Sequence, residues 1–131
     1  MARFDPTDLP EGVINFLAER HLATLSIPRP GAAPHVTPVG FTWDADAGLA
    51  RVITFAASVK YQLIEAAPTD VTLCQVDGGR WLTLQGRAVG TSDPQRCAEA
   101  MRRYGERYRD PKQRPDRVAI EITVDAVLGR A

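Results

Sequence analysis

Ser58 and Lys60 sit where a strand pattern gives way to a helical one, and they are the side chains best spaced for chemistry. Val52 to Phe55 is β-branched and aromatic, so it reads as a strand. Ala56, Ala57 and Ser58 are too small and polar to continue it. Tyr61, Leu63 and Ile64 then begin a helical pattern that Pro68 stops. Unpaired backbone N–H groups at the helix start, the Ser58 hydroxyl and the Lys60 ammonium converge on one point. Such a point suits an anion. On residue types alone the commoner outcome is a capping Ser58 and a solvated Lys60.

Other chemistry is sparse. No spacing suggests a Ser-His-Asp arrangement. Neither His21 nor His35 has a Cys or carboxylate at ligand spacing, so no metal site is expected. Phosphate-binding loops of the GxxxxGK type and dinucleotide fingerprints are absent. Arg96 to Arg117 holds eight basic and four acidic residues. A run of this kind is usually a solvated helix face, but it also offers an excess of positive charge to an anionic ligand.

The elements that position these residues follow from pattern. The 131 residues suit one domain, 1–131, with a real core. Asp8 is expected to cap a first helix, with Pro10 in its first turn and Leu9, Val13, Phe16 and Leu17 on one face. Strands are expected over 21–27, 35–43, 49–55, 71–76, 80–89 and 118–124. In the fifth, Leu82, Leu84, Gly86 and Ala88 share a face, and Gly86 marks a bulge or sharp bend. Asp77-Gly78-Gly79 is a tight turn in which both glycines accept positive φ. Asp93 caps a second long helix with Pro94 at its first position; its apolar stripe is Cys97, Ala100, Met101, Tyr104 and Tyr108. Consecutive hairpin-linked strands with a mid-strand glycine predict a mainly β fold, a closed or nearly closed antiparallel barrel with peripheral helices.

Composition bounds the partners. Lys+Arg and Asp+Glu are both 16, so net charge is zero. This argues against a nucleic-acid-binding surface and eases self-association. Cys74 and Cys97 lie on different elements without metal spacing; buried thiols in a reducing cytosol are the ordinary outcome, and a disulfide stays open. No apolar signal core or membrane-length run is present, so a soluble cytoplasmic protein is expected.

Four stretches carry a resemblance: Pro34 to Phe41, Arg51 to Thr54, Ser58-Val59-Lys60 and Arg80 to Ala88. Together they resemble the flavin/deazaflavin oxidoreductase superfamily, whose FMN-binding split barrel is named for pyridoxamine 5'-phosphate oxidase. Glu19 to Ala23, Leu73 to Gly78, Arg80 to Leu82 and Tyr108-Arg109 are similar to the small actinobacterial members that use coenzyme F420, notably F420-dependent biliverdin reductases. The resemblance implies a split β-barrel and a homodimer with cofactors in grooves at the subunit interface. It implies that Thr54, Ser58 and Lys60 form the phosphate cradle, with Ile53 and Val59 also at the cofactor. His35, Val36, Thr37, Pro38 and Val39 would line the tricyclic ring, and Gly79, Arg80 and Trp81 would reach the cofactor from the partner subunit. Without the family, Trp81 is a core aromatic and His35 a strand-end histidine. FMN-using oxidases often carry Arg just before the phosphate lysine, where this chain has Val59. The expectation is therefore F420-dependent hydride transfer to a conjugated acceptor such as biliverdin or a quinone-like compound, with no catalytic side chain assigned. The alternatives are an FMN-binding oxidoreductase and a non-enzymatic flavin or tetrapyrrole carrier.

Overall fold

A computed structural model describes residues 1–131. Eight strands and three helices follow in the order β1 (Ala2–Phe4), α1 (Glu11–Ala18), β2 (Ala23–Arg29), β3 (Ala32–Val39), β4 (Thr42–Asp44), β5 (Leu49–Phe55), α2 (Val59–Ala66), β6 (Thr69–Asp77), β7 (Arg80–Thr91), α3 (Pro94–Arg107) and β8 (Arg117–Arg130). Every strand pair is antiparallel, in the order β3-β2-β6-β7-β8-β5-β4, and β1 adds to β8. The two end strands, β3 and β4, are separated in the chain only by Gly40 and Phe41. Two residues span less than about 11 Å even when extended. The ends of the sheet are therefore brought together without pairing, and the barrel is split along that seam.

Alternation builds the interior. On β5, Ala50, Val52 and Thr54 are buried; on β7, Leu82, Leu84, Gly86 and Ala88 are. With Leu25, Ile27, Phe41, Leu73, Ile120 and Ile122 they belong to or line one core, onto which α1 lays Val13, Phe16 and Leu17. Gly86 sits where the β7–β8 register skips Asp125, which is the expected bulge. A Cβ here would lie 2.2 Å from the Thr123 carbonyl oxygen, so only glycine fits.

Several boundaries differ from the sequence expectation. Pro10, not Asp8, is the residue before α1, and no side chain caps that helix. The strand expected over 35–43 breaks at Gly40, where a Cβ would lie 2.8 Å from the Tyr104 ring and 3.1 Å from that of Tyr108. In the β6–β7 turn only Gly78 adopts positive φ, +61°. β1 lacks an alternating signal and exists through its pairing with β8. No helix is long and apolar enough to cross a membrane.

Candidate functional site

The strand-to-helix joint forms as its residues dictate. Asp93 caps α3 by accepting from the Arg96 N–H, and Ser58 caps α2 by accepting from the Tyr61 N–H at 3.3 Å. The Thr54 hydroxyl, at the end of β5, donates to the same Ser58 Oγ at 2.9 Å. Ser58 is only 6% exposed, so its oxygen serves the fold and does not open to solvent. Lys60 points the other way. It is half-buried and has no acid beside it, and burial holds its ammonium below the usual lysine value.

Lys60 lines a cavity of about 650 Å³. Its walls come from the end of β3 (Pro38, Val39), the seam (Gly40), β5 (Ile53, Thr54), α3 (Tyr104) and the loop leading into β8. That loop and the start of β8 supply Arg109, Lys112, Arg114 and Arg117, against one acid, Asp110. Arg114 is paired with Asp116 at 2.9 Å and covers the Phe55 ring. Arg117 donates to the carbonyls of Thr54 and Lys112, while its Nε–H is buried without an acceptor. A buried orphan donor and an uncompensated lysine on one wall are what an anionic group would satisfy. The arrangement fits a phosphorylated ligand with a planar, partly apolar body against Val39 and Ile53.

The expected site residues divide. Pro38, Val39, Ile53, Thr54 and Lys60 meet at this cavity. Ser58 is buried as the cap beside it, whereas Val59, 54% exposed, lines a different cavity with Ala57 and Leu63. His35, Val36 and Thr37 lie further back along β3, an edge strand that pairs only with β2. Val36 is 52% exposed, and the Thr37 hydroxyl is buried without a partner. Gly79, Arg80 and Trp81 sit at the β6–β7 hairpin and do not line this chain's own cavity.

Arg80 is engaged there. It forks onto Glu19 at 2.8 and 2.9 Å, meets Asp77 at 2.5 Å, and stacks on Phe16. Arg80 holds the Glu19 carboxyl down at about 2, with a further contribution from His21. His21 itself lies 3.0 Å from Glu19 and 3.8 Å from Asp77. The expectation that His21 has no carboxylate at hand is thus corrected: Asp77 is remote in sequence, and Glu19 is reached because the chain extends after α1.

The basic run also divides. Arg102 and Arg103 pair with Glu99 and Glu106 along α3, and Arg103 also reaches the buried Asp44 at the end of β4. Arg107 turns inward and donates to the carbonyls of Glu19 and Phe41 and to Gln75 Oε1. Four of the remaining basic residues reach the cavity. Their charge excess was visible in the sequence; their assignment to one wall, and the parts played by Gly40 and Tyr104, were not.

Known proteins resemble this arrangement over almost all of its length. A protein of Mycobacterium tuberculosis (strain CDC 1551 / Oshkosh) named F420H(2)-dependent biliverdin reductase is 46% identical over 125 residues, covering 95% of this chain and 90% of the relative. A solved structure described as an F420 reductase superposes with a TM-score of 0.72 at 26% identity, covering 92% of this chain and 98% of the other. A conserved hypothetical protein of Mycobacterium tuberculosis gives a TM-score of 0.77 at 20% identity, covering 99% and 89%, a likeness of fold. The match to the family described as pyridoxamine 5'-phosphate oxidase runs over residues 9–131, from just before α1 through the seam, the Ser58–Lys60 joint and β8. With the split barrel shared by these structures, the chain belongs to the pyridoxamine 5'-phosphate oxidase family.

Proposed function

We propose that this protein is an F420-dependent reductase acting on a conjugated acceptor of the biliverdin type. One observation carries the reading: the half-buried, uncompensated Lys60 faces a cavity whose other cations are Arg109, Lys112, Arg114 and Arg117. The 46% identity to a protein named F420H(2)-dependent biliverdin reductase supports both the coenzyme and the acceptor class. Val59, apolar and exposed where FMN-using oxidases often carry Arg, favours the deazaflavin over FMN.

When bound, reduced coenzyme F420 supplies a hydride to the acceptor. The chain supplies binding and orientation. Lys60 and the Arg117 Nε–H would hold the phosphate, beside a helix start whose N–H groups favour negative charge. Val39 and Ile53 give the planar body a flat apolar seat. Lys112, on the loop over the cavity, would meet the acidic part of the coenzyme. The proton that accompanies the hydride comes from solvent or from a donor on the wall. The Tyr104 hydroxyl and the Lys60 and Lys112 ammoniums, none tied up in a hydrogen bond, are acidic groups on that wall.

The reading includes a homodimer with His35, Val36 and Thr37 near the ring and with the partner's hairpin, Gly79 to Trp81, over the groove. The unpaired outer edge of β3 and the exposed Val36 support it, as does the absence of the hairpin from its own cavity. Light scattering at micromolar concentration should give twice the 14.3 kDa chain mass. The function itself is tested by mixing reduced F420 with biliverdin and a panel of quinones and following deazaflavin oxidation. Turnover with a conjugated acceptor is expected. Tight binding of coenzyme and acceptor without turnover would mark a carrier instead.

A further inference from the structure

Beside the main cavity lies a second chamber of about 300 Å³, lined by Arg20, His21, Leu22, Tyr104, Tyr108 and Arg109. Tyr104 and Arg109 line both spaces, so the chambers share a wall. The wall is built to stay in place. Tyr108 donates from its hydroxyl to the His21 carbonyl at 2.6 Å, and its ring is covered by Arg107. Tyr104 stacks on Tyr108 with centroids 4.9 Å apart and a tilt of 35°. Gly40 lets both rings approach, since a Cβ there would lie 2.8 Å from Tyr104.

The lining is chemically uneven. No acid faces the chamber, and Arg20 and Arg109 make no ion pair or side-chain hydrogen bond. Leu22 is exposed, an apolar surface with nothing over it. Two free guanidinium groups beside two tyrosine rings and a leucine match a planar, conjugated molecule that carries a carboxylate. Guanidinium binds carboxylate in a fork, and the tyrosines and leucine together offer apolar surface to a flat molecule. A flexible acidic tail on the coenzyme would match the arginines but leave the aromatic and apolar surface unused.

We infer that this chamber is the acceptor subsite, with Arg20 and Arg109 binding the carboxylate of a conjugated acid whose reactive end passes the Tyr104 wall into the main cavity. This rests on the reductase reading and adds specificity to it: carboxylate-bearing acceptors are preferred over their neutral esters. Arg20 is the informative position because it lines only the second chamber and its side chain is uncommitted.

The test is equilibrium titration of biliverdin and of biliverdin dimethyl ester, with oxidised F420 present so that no turnover occurs. The proteins are the parent chain, Arg20→Ala and Arg20→Lys, and F420 is titrated into each in parallel. Loss of a charge-assisted contact of this kind weakens binding by about ten- to a hundredfold. Arg20→Ala should show that loss for biliverdin, none for the ester and none for F420, and Arg20→Lys should recover part of it. The assignment is overturned if biliverdin does not bind the parent, if diacid and ester are weakened equally or not at all, or if only F420 is weakened. Arg20-dependent binding without hydride transfer would remove the reductase reading and keep the chamber. Turnover with Arg20-independent affinity would do the reverse.

Discussion

The Thr54 hydroxyl donates to Ser58 Oγ at 2.9 Å, joining the last turn-facing residue of β5 to the cap of α2. This contact fixes where the helix starts relative to the strand, and so where Lys60 emerges. Ser58→Ala removes the acceptor of both the Thr54 hydroxyl and the Tyr61 N–H in a buried setting. Losing a cap costs about 0.5–2 kcal/mol, and the orphaned hydroxyl places the loss toward the upper end. Denaturant unfolding should show a lower midpoint at unchanged slope. Cofactor affinity should fall as well, because the start of α2 frays.

Arg107 is a second prediction. It is half-buried among neutral acceptors, the carbonyls of Glu19 and Phe41 and the amide oxygen of Gln75, and its guanidinium lies 4.7 Å from the Phe41 ring centroid. Gln75 is fully buried and donates its own amide N–H to the Phe16 carbonyl. Truncating Arg107 to Ala strands Gln75 Oε1 and releases α3 from α1 and the seam. Hydrogen bonds to a charged donor contribute about 1.5–3 kcal/mol each, not additively. Arg107→Ala should therefore lose about 3 kcal/mol or fail to fold, while Arg102→Ala, on the exposed face, should change stability by less than about 0.5 kcal/mol. Parallel thermal melts compare the two.

Glu19 provides an acid-range prediction. Its folded carboxyl lies at about 2, below the ordinary 4.5, because Arg80 and His21 favour the charged form. A carboxyl depressed on folding contributes stability that is present above pH 4.5 and lost as pH falls toward about 2. Carbon-detected NMR titration should find Glu19 at about 2 in the parent and shifted up toward 4.5 in Arg80→Ala. The cluster faces solvent, so added salt should shrink the difference.

The Lys60 ammonium sets an alkaline limit on cofactor binding. Burial lowers its folded value, and an anionic ligand favours the charged form. As pH rises through that lowered value the charge is lost and affinity falls, with proton uptake on binding in the same range. Lys60→Ala should bind weakly and show a flat profile there. Calorimetric titrations in buffers of different ionisation enthalpy measure the uptake directly.

Local pattern carried much of this architecture. The alternation of Leu82, Leu84, Gly86 and Ala88, the Ser58 and Asp93 caps and the Gly86 bulge all follow from residues within a few positions of one another. What pattern missed depends on distant partners. Arg107 looks like one charge in a basic run until its acceptors, 88, 66 and 32 residues away, are folded around it. β1 has no alternation to reveal it, and the close approach of Tyr104 and Tyr108 to Gly40 joins residues far apart in the chain. The fold class and the Thr54–Lys60 joint were legible; the cationic loop over the cavity was visible as composition but not as a surface.

The central claim is that Lys60 stands in a deazaflavin site, and titration of F420 and FMN into the parent and Lys60→Ala proteins tests it most directly. A charge-assisted phosphate contact is worth roughly 1.5–3 kcal/mol, or about a ten- to hundredfold change in affinity. The parent should bind F420 more tightly than FMN. Lys60→Ala should show a loss of that size, unchanged thermal stability and a weaker response to salt than the parent's. Equal affinity of Lys60→Ala and parent for both cofactors, or tighter binding of FMN by the parent, would contradict it.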